Sequence, residues 1–348
     1  MTPASDTTPV RWGILGAANI AVRQVIPAMQ QSALCSVVAI ASRNAAKARD
    51  AATSLGIPRA YGSYQELLDD PDVEAIYNPL PNHLHVPWTI RAAECGKHVL
   101  CEKPIALNAR EAEQLLDVQQ RTGVQIGEAF MVRTHPQWVA ARALIASGRI
   151  GELRLINGHF TYYRRDPADV RSNPEWGGGA LLDIGCYPIT MSRWLFGEEP
   201  LHVVGQLEFD PDMHVDRVGS VLMRFPSGQA AFTFGGQVAL HQQMKIFGTR
   251  GHIAIDIPFN PPPGISSGLV VDDGRDLTGS GAERITFPPV NQYTLQATRF
   301  AEAVRGLNTV AVSIHDAINN MRVIDAVFRS AKSHRWESPA LTETGEGW

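Results

Sequence analysis

Over residues 10–131 short apolar runs alternate with helical segments, and this alternation constrains the fold more than any other feature of the chain. Val10 to Leu15 is an apolar run that ends at Gly16. Asn19 to Gln31 reads as a helix, with a kink expected at Pro27. Leu34 to Ala41 is a second strand. Asn44 to Leu55 is an Ala-rich helix with Asn44 as N-cap and Gly56 just past its end. Strand Val73 to Asn78, helix Val86 to Glu94, strand His98 to Cys101, helix Ala109 to Arg121 and strand Val124 to Met131 continue the pattern. Strands separated by helices pair in parallel, so a doubly wound sheet is predicted.

The pattern changes after residue 131. A helix from Pro136 to Ala146 leads into consecutive strands: Leu153 to Tyr163, Leu201 to Phe209, Gly219 to Phe225, Ala230 to Val238, Gln243 to Phe247 and His252 to Ile257. Short turns between them predict an antiparallel meander. Pro258 to Gly281, rich in Pro, Gly and Ser, reads as loop. Helices from Leu295 to Val304 and His315 to Ser333 close the chain. At 348 residues two cores are expected. The division falls at 1–131 and 132–348, with the last helix, about 315–333, a candidate to pack back on the first domain. The fold class is α/β plus α+β: a doubly wound parallel sheet, then an open, mainly antiparallel sheet.

Composition excludes several function classes. A net charge of −4 weighs against a nucleic acid or an anionic membrane as partner. No apolar run reaches the roughly 18 residues of a membrane span. Met1 to Pro9 is polar and lacks a charged-then-apolar leader pattern, so a cytoplasmic protein is expected. The four Cys form no C-x-x-C and read as reduced thiols. The His residues are scattered without zinc-type spacing, so no metal is expected.

The first strand-turn-helix carries a reduced dinucleotide fingerprint. Glycines at such a turn let backbone amides approach a pyrophosphate. Here only Gly16 matches; Ala18 and Ala21 stand at the later positions. Gly16, Ala17, Ala18, Asn19 and Ile20 are the candidate cradle. The second strand ends in Ser42-Arg43, with Lys47 a turn later and no carboxylate to bind a ribose hydroxyl. A hydroxyl, a guanidinium and an ammonium suit a 2′-phosphate, which favours NADP over NAD. Beyond the next strand lie Pro79, Leu80, Asn82 and His85. Ligands of such sheets sit past the strands' carboxyl ends. Asn82 and His85 are candidates to contact the nicotinamide end or to cap the next helix.

The strongest chemical signal is Cys101-Glu102-Lys103-Pro104 at the end of a strand. A residue before Pro is pushed out of the helical region, so Lys103 is expected at the strand's carboxyl end, in a cleft, rather than in a helix. Glu102 and Lys103 both face the cofactor side in this reading. Some eighty residues on, a triple Gly (Gly177 to Gly179) precedes Asp183 and Tyr187, which share a face if helical. The glycines permit close approach to a ligand or a special turn. A free Tyr has a pKa near 10, and an adjacent Lys⁺ lowers it toward a useful base. Tyr187 is the candidate proton acceptor, Lys103 the electrostatic aid, and Asp183 the residue that orients Lys103 or the substrate.

These segments resemble the Gfo/Idh/MocA oxidoreductases. The likeness is greatest to the branch with glucose-fructose oxidoreductase, NADP-linked xylose dehydrogenase and dimeric dihydrodiol dehydrogenase. It is carried by Gly13 to Ala21, Pro81 to His85, Gly96 to Pro104, Ser147 to Glu152 and Gly179 to Tyr187. The resemblance implies a Rossmann domain and a second domain whose open sheet often buries one face in a homo-oligomer. It places the family's catalytic Lys at Lys103 and its active-site Asp at Asp183. Tyr at 187, where inositol dehydrogenases carry His, is similar to the sugar and dihydrodiol branch. The expected activity is NADP-linked oxidation of a sugar or cyclic polyol hydroxyl. The alternatives are a trans-dihydrodiol dehydrogenase, a sugar-sugar oxidoreductase with tightly held NADP, and a non-enzymatic dinucleotide-binding regulator. Arg133, His135, Tyr163, Arg165 and Trp176 are expected among the pocket walls of the second domain.

Overall fold

The fold was analysed in a computed structural model that describes residues 7–340; most of the polar N-terminal stretch lies outside them. The first sheet has six parallel strands: β1 (Val10–Leu15), β2 (Cys35–Ala41), β3 (Arg59–Tyr61), β4 (Ala75–Asn78), β5 (His98–Glu102) and β6 (Ile126–Ala129). Their order, β3-β2-β1-β4-β5-β6, is that of a doubly wound nucleotide-binding sheet. Asn44 caps helix Ala45–Leu55 by accepting from the Lys47 N–H, and Gly56 ends it at φ 65°. β3 and the short helix Tyr64–Leu68 were not expected. A three-residue strand is too short to show a period.

The expected kink at Pro27 is replaced by a π-helical turn at Ala21–Val25, followed by Ile26–Met29. Proline removes one helical donor, and the widened turn upstream absorbs the mismatch.

The second sheet has eight strands: β7 (Leu153–Tyr163), β8 (His202–Phe209), β9 (Asp216–Arg224), β10 (Gln229–Gly235), β11 (Gln237–Gly248), β12 (His252–Ile255), β13 (Ser267–Asp272) and β14 (Glu283–Phe287). It is not a simple meander. The order is β14-β13-β12-β11-β7-β10-β9-β8, and β7 lies parallel to β10. The chain leaves β7 through helix Cys186–Phe196 and returns at the sheet's edge, so β10 and β11 close around β7 from both sides. The segment expected to be loop contains β13, and β14 follows it. In β13, Leu269 and Val271 are buried while Gly268 and Val270 are partly open, an alternation masked by neighbouring Pro and Gly.

Two compact units are formed. Among the described residues, one comprises 7–135, 262–264 and 290–317, the other 136–261, 265–289 and 318–340. In the first, Trp12 packs on Phe300 at 5.4 Å, so helix Gln292–Val304 closes the core there. The last helix, Ile314–Ser333, runs mostly in the second unit. There Val327 lies on the sheet at Gly205, where a Cβ would come within 2.8 Å. Val221, Met223, Ala230, Phe232 and Phe234 are all buried, whereas Ser220 and Arg224 are exposed and Leu222, Ala231 and Thr233 are partly open. Alternation therefore sends the large apolar side chains of β9 and β10 to one covered face.

Candidate active site

In the first unit the strand ends of β1, β2, β4 and β5 carry the candidate residues. Gly16 adopts φ +94°, and its N–H donates to the Ala41 carbonyl at 2.8 Å. A Cβ there would meet Leu80 Cδ2 at 3.0 Å, so glycine is required for conformation and space alike. Ala17 and Leu80 are buried; Ala18 and Ile20 are half-buried and Asn19 is exposed. This turn opens a helix, where unbonded N–H groups attract an anion. At the end of β2, Ser42 is buried and its Oγ accepts from the Asn44 N–H at 3.2 Å. Arg43 and Lys47 are exposed. The Arg43 guanidinium lies near the Tyr64 hydroxyl, whose pKa burial pushes up and Arg43 pulls down. No carboxylate stands at positions 42–44. The arrangement fits a dinucleotide with a 2′-phosphate.

The loop after β4 is built from buried amides. Asn78 Nδ2 donates to the His85 carbonyl and to Thr89 Oγ1, while its Oδ1 accepts from the Leu80 N–H. The two ring nitrogens of His85 face the carbonyls of Pro104 at 2.8 Å and Leu80 at 2.7 Å. His85 is buried, and desolvation pushes its pKa down to about 4 against the pull of those carbonyls. It therefore ties the loop after β4 to the loop after β5 rather than facing a ligand. Asn82 is half-buried, and the helix that starts at His85 has no side-chain cap. Pro79 is buried in the same loop.

Lys103 is half-buried, and the peptide joining it to Pro104 is cis. The turn that carries it is fixed on two sides. His85 faces the Pro104 carbonyl, and buried Glu128 accepts from the Ile105 N–H at 2.8 Å. Glu102 accepts from the Tyr77 hydroxyl at 2.7 Å and from the Lys103 N–H at 3.2 Å. Burial pushes the Tyr77 phenol well up, and the Glu102 charge adds to it.

In the second unit Asp183 lies in a π-helical turn, Leu181–Gly185, and Tyr187 in the helix that continues it, Cys186–Phe196. The wider turn breaks the four-residue spacing of a shared face. Asp183 Oδ2 accepts from the Tyr162 hydroxyl at 2.5 Å and from Arg171 Nε at 2.9 Å. Burial first, and the Asp183 charge second, push the Tyr162 phenol up; the same charge holds Arg171 above its usual range. Tyr187 is buried against Phe160 and Phe259.

The triple glycine is a packing turn. Gly177 ends the 3-10 turn Pro174–Trp176, the Gly178 N–H donates to the Asn173 carbonyl, and Gly179 adopts φ +109°. A Cβ at Gly179 would lie 2.0 Å from Asp216 Oδ1. Asp216, buried at the start of β9, accepts from the Leu181 N–H at 2.6 Å and so caps the helix that carries Asp183 and Tyr187. Desolvation pushes its pKa up to about 6.

Among the expected pocket walls, Arg133 and His135 belong to the first unit, not the second. Arg133 pairs with Asp316 at 2.7 Å, and buried His135 has its pKa pushed down to about 4 by desolvation. Tyr163 is exposed. Arg165 pairs with Asp210 at 3.0 Å and with Asp212, and Trp176 is exposed. The sequence reading missed Tyr162, Arg171 and Asp216. Among the described residues no cluster of three or more metal-ligating side chains occurs, and no helix is long and apolar enough to cross a membrane.

Residues 10–130 match the oxidoreductase family with an NAD-binding Rossmann fold, and residues 138–254 match the GFO/IDH/MocA C-terminal domain. An uncharacterized oxidoreductase of Rhizobium meliloti is 47% identical over 94% of this chain and 99% of its own length. A D-xylose 1-dehydrogenase (NADP(+)) of Haloferax volcanii is 37% identical over 92% of this chain and 97% of its own. The crystal structure of a 3-ketoreductase from Actinomadura kijaniata in complex with NADP and TDP-benzene superposes with a TM-score of 0.86. It is 32% identical over 93% of this chain and 98% of that one. With both halves matched and full-length relatives at this identity, the chain belongs to the GFO/IDH/MocA oxidoreductase family.

Proposed function

We propose that this protein is an NADP-dependent oxidoreductase acting on a hydroxyl or carbonyl carbon of a sugar, an aldose or a related cyclic polyol. One observation carries the reading. A buried phenol, Tyr187, stands on a capped helix in a chain similar along almost its whole length to a D-xylose 1-dehydrogenase (NADP(+)). The absence of a carboxylate at the end of β2, beside the exposed Arg43, supports NADP over NAD.

NADP, when bound, supplies the hydride acceptor. The amides from Gly16 to Ile20 hold its pyrophosphate, and Ser42, Arg43 and Lys47 hold the 2′-phosphate. Tyr187 takes the proton from the reacting hydroxyl as the hydride departs. Lys103 holds the negative charge that develops on the oxygens involved. Asp183 fixes Tyr162 and Arg171, a polar wall for the sugar hydroxyls. In the reverse direction Tyr187 returns the proton to a carbonyl oxygen.

The ketoreductase likeness supports a second reading, reduction of a keto sugar carried on a nucleoside diphosphate. Charge near Asp183 weighs against it. Arg164 pairs with Asp169, Arg165 with Asp210 and Asp212, and Arg171 with Asp183, so these cations are already neutralised.

A panel of aldoses, inositols and dihydrodiols, each with NADP and with NAD, and of keto sugars with NADPH and with NADH, scored by the absorbance of the reduced nicotinamide, tests the proposal. Turnover of an aldose with NADP preferred is expected. Turnover of dihydrodiols alone, or oxidation that proceeds only when a second sugar is present, would assign one of the rival activities.

A further inference from the structure

The Tyr187 ring meets Phe160 of β7 edge-on, at 5.6 Å and 70°, and Phe259 at 5.4 Å and 52°. Phe160 and Phe259 stack at 4.8 Å and 18°, and Trp138 stacks on Phe259 at 6.3 Å and 25°. All four rings are buried, and Phe259 is completely so. Phe259 comes from the connection between β12 and β13, which has no regular structure around it.

That connection is nevertheless fixed. Gln137 Nε2 donates to the Ile257 and Pro258 carbonyls at 3.0 and 3.2 Å. Trp138 Nε1 donates to the Pro258 carbonyl at 2.6 Å. Gln242 Oε1 accepts from both the Phe259 and the Asn260 N–H at 3.1 Å. Three side chains thus satisfy the backbone of four consecutive residues, Ile257 to Asn260. Polar groups that stay buried need such partners, and together they allow the loop one position.

Phe160 is held by its strand and Tyr187 by its helix. Phe259 is the second ring against the phenol, beside Phe160. From this geometry we infer that Phe259 is a positioning residue for Tyr187, fixing the direction in which its hydroxyl points. The inference rests on the reading of Tyr187 as proton acceptor. Proton transfer depends steeply on such alignment, since a misplacement of about 1 Å costs on the order of a hundredfold in rate.

The test compares Phe259→Leu, Gln242→Ala and Tyr187→Phe with the parent, with NADP bound. Leucine keeps most of the volume but not the flat face. Gln242→Ala leaves the rings intact and frees the loop. Two readouts are used: kcat and KM with D-xylose, and the NMR resonance of the Tyr187 ζ-carbon in protein labelled at that carbon. The Tyr187 signal is assigned by its loss in Tyr187→Phe. Phe259→Leu should melt close to the parent, lose about tenfold or more in kcat with little change in KM for NADP, and shift the Tyr187 resonance and its titration midpoint. Gln242→Ala should change both readouts in the same direction but by less. A Phe259→Leu protein with parental kcat and an unmoved resonance would make Phe259 a filler of the core and overturn the inference, while an inactive Tyr187→Phe leaves the catalytic reading standing. If Tyr187→Phe turns over like the parent, the catalytic reading fails instead. Should D-xylose not be turned over, the resonance of Gln242→Ala decides, because that variant keeps every ring whose current shifts the Tyr187 signal.

Discussion

Arg43 concentrates the question of cofactor choice in one side chain. It is exposed at the end of β2 and lies near the Tyr64 hydroxyl, free of any carboxylate in its own turn. Arg43→Ala should therefore weaken NADP more than NAD. A charge-assisted bond of roughly 1.5–3 kcal/mol corresponds to a ten- to hundred-fold change in preference. Isothermal titration with both dinucleotides checks this. Equal weakening of the two would place Arg43 on the shared adenosine or in folding. Arg43, Lys103 and Tyr187 could be proposed from the sequence because their residue types stand in recognisable local runs. Tyr162, Arg171 and Asp216 were not. They meet Asp183 or its helix from 21, 12 and 35 residues away, and no spacing rule links such positions. His85 was legible as special but not as structural, since only the fold brings the Pro104 carbonyl to its ring.

The element that matters most is the helix bearing Asp183 and Tyr187, whose start depends on the fit of Gly179 against Asp216. Gly179→Ala should destabilise the protein by about 1–3 kcal/mol from backbone strain alone, and by more from the 2.0 Å approach to Asp216 Oδ1. Differential scanning calorimetry reads the loss, and an unchanged melting temperature would contradict the packing described. Asp216 adds a pH signature. Its native pKa is raised to about 6, above the ordinary Asp value, so the native state binds its proton before the unfolded state does. The native state thus loses stability as pH rises from about 4 to about 6, and stability relative to Asp216→Asn should grow as pH falls from 7 to 4, by about 2 kcal/mol. A gap between the two proteins that stays flat over that range, or moves the other way, would contradict the burial of a carboxylate there. Helix and strand limits were largely readable: β1, β7 and helix Pro136–Ala146 fall where apolar period, Gly and Pro place them. The π-turns at Ala21–Val25 and Leu181–Gly185 were not, because a period of 3.6 residues says nothing of one widened turn. The parallel seating of β7 beside β10 also escaped, because sequence order favours neighbours in sequence.

At the scale of the whole molecule, the alternating strands of the second sheet leave one face open, with polar, charged and small apolar side chains on it. Asn157, His159, Gln206, Ser220 and Thr233 line a depression of about 590 Å³ there, with Leu222 and Ala231 between them. We expect this face to pair with its copy in a homodimer, as two-fold contacts are the commonest solution for such surfaces. Sedimentation at micromolar concentration should give twice the chain mass, and Leu222→Arg should shift it toward one. A parent protein that sediments only as a single chain would contradict the expectation. The two-unit plan was readable from the change of pattern near residue 131, whereas the return of residues 290–317 to the first unit was not. That segment joins its core through Phe300 on Trp12, a contact between the two ends of the chain. The central claim is that Tyr187 moves the proton while NADP binds elsewhere on the chain's own residues, and Tyr187→Phe measures it most directly. With the best aldose and NADP, kcat should fall by about 10²–10⁴-fold while the Kd for NADP stays within error of the parent. A Tyr187→Phe enzyme that turns over at the parental rate would contradict the account.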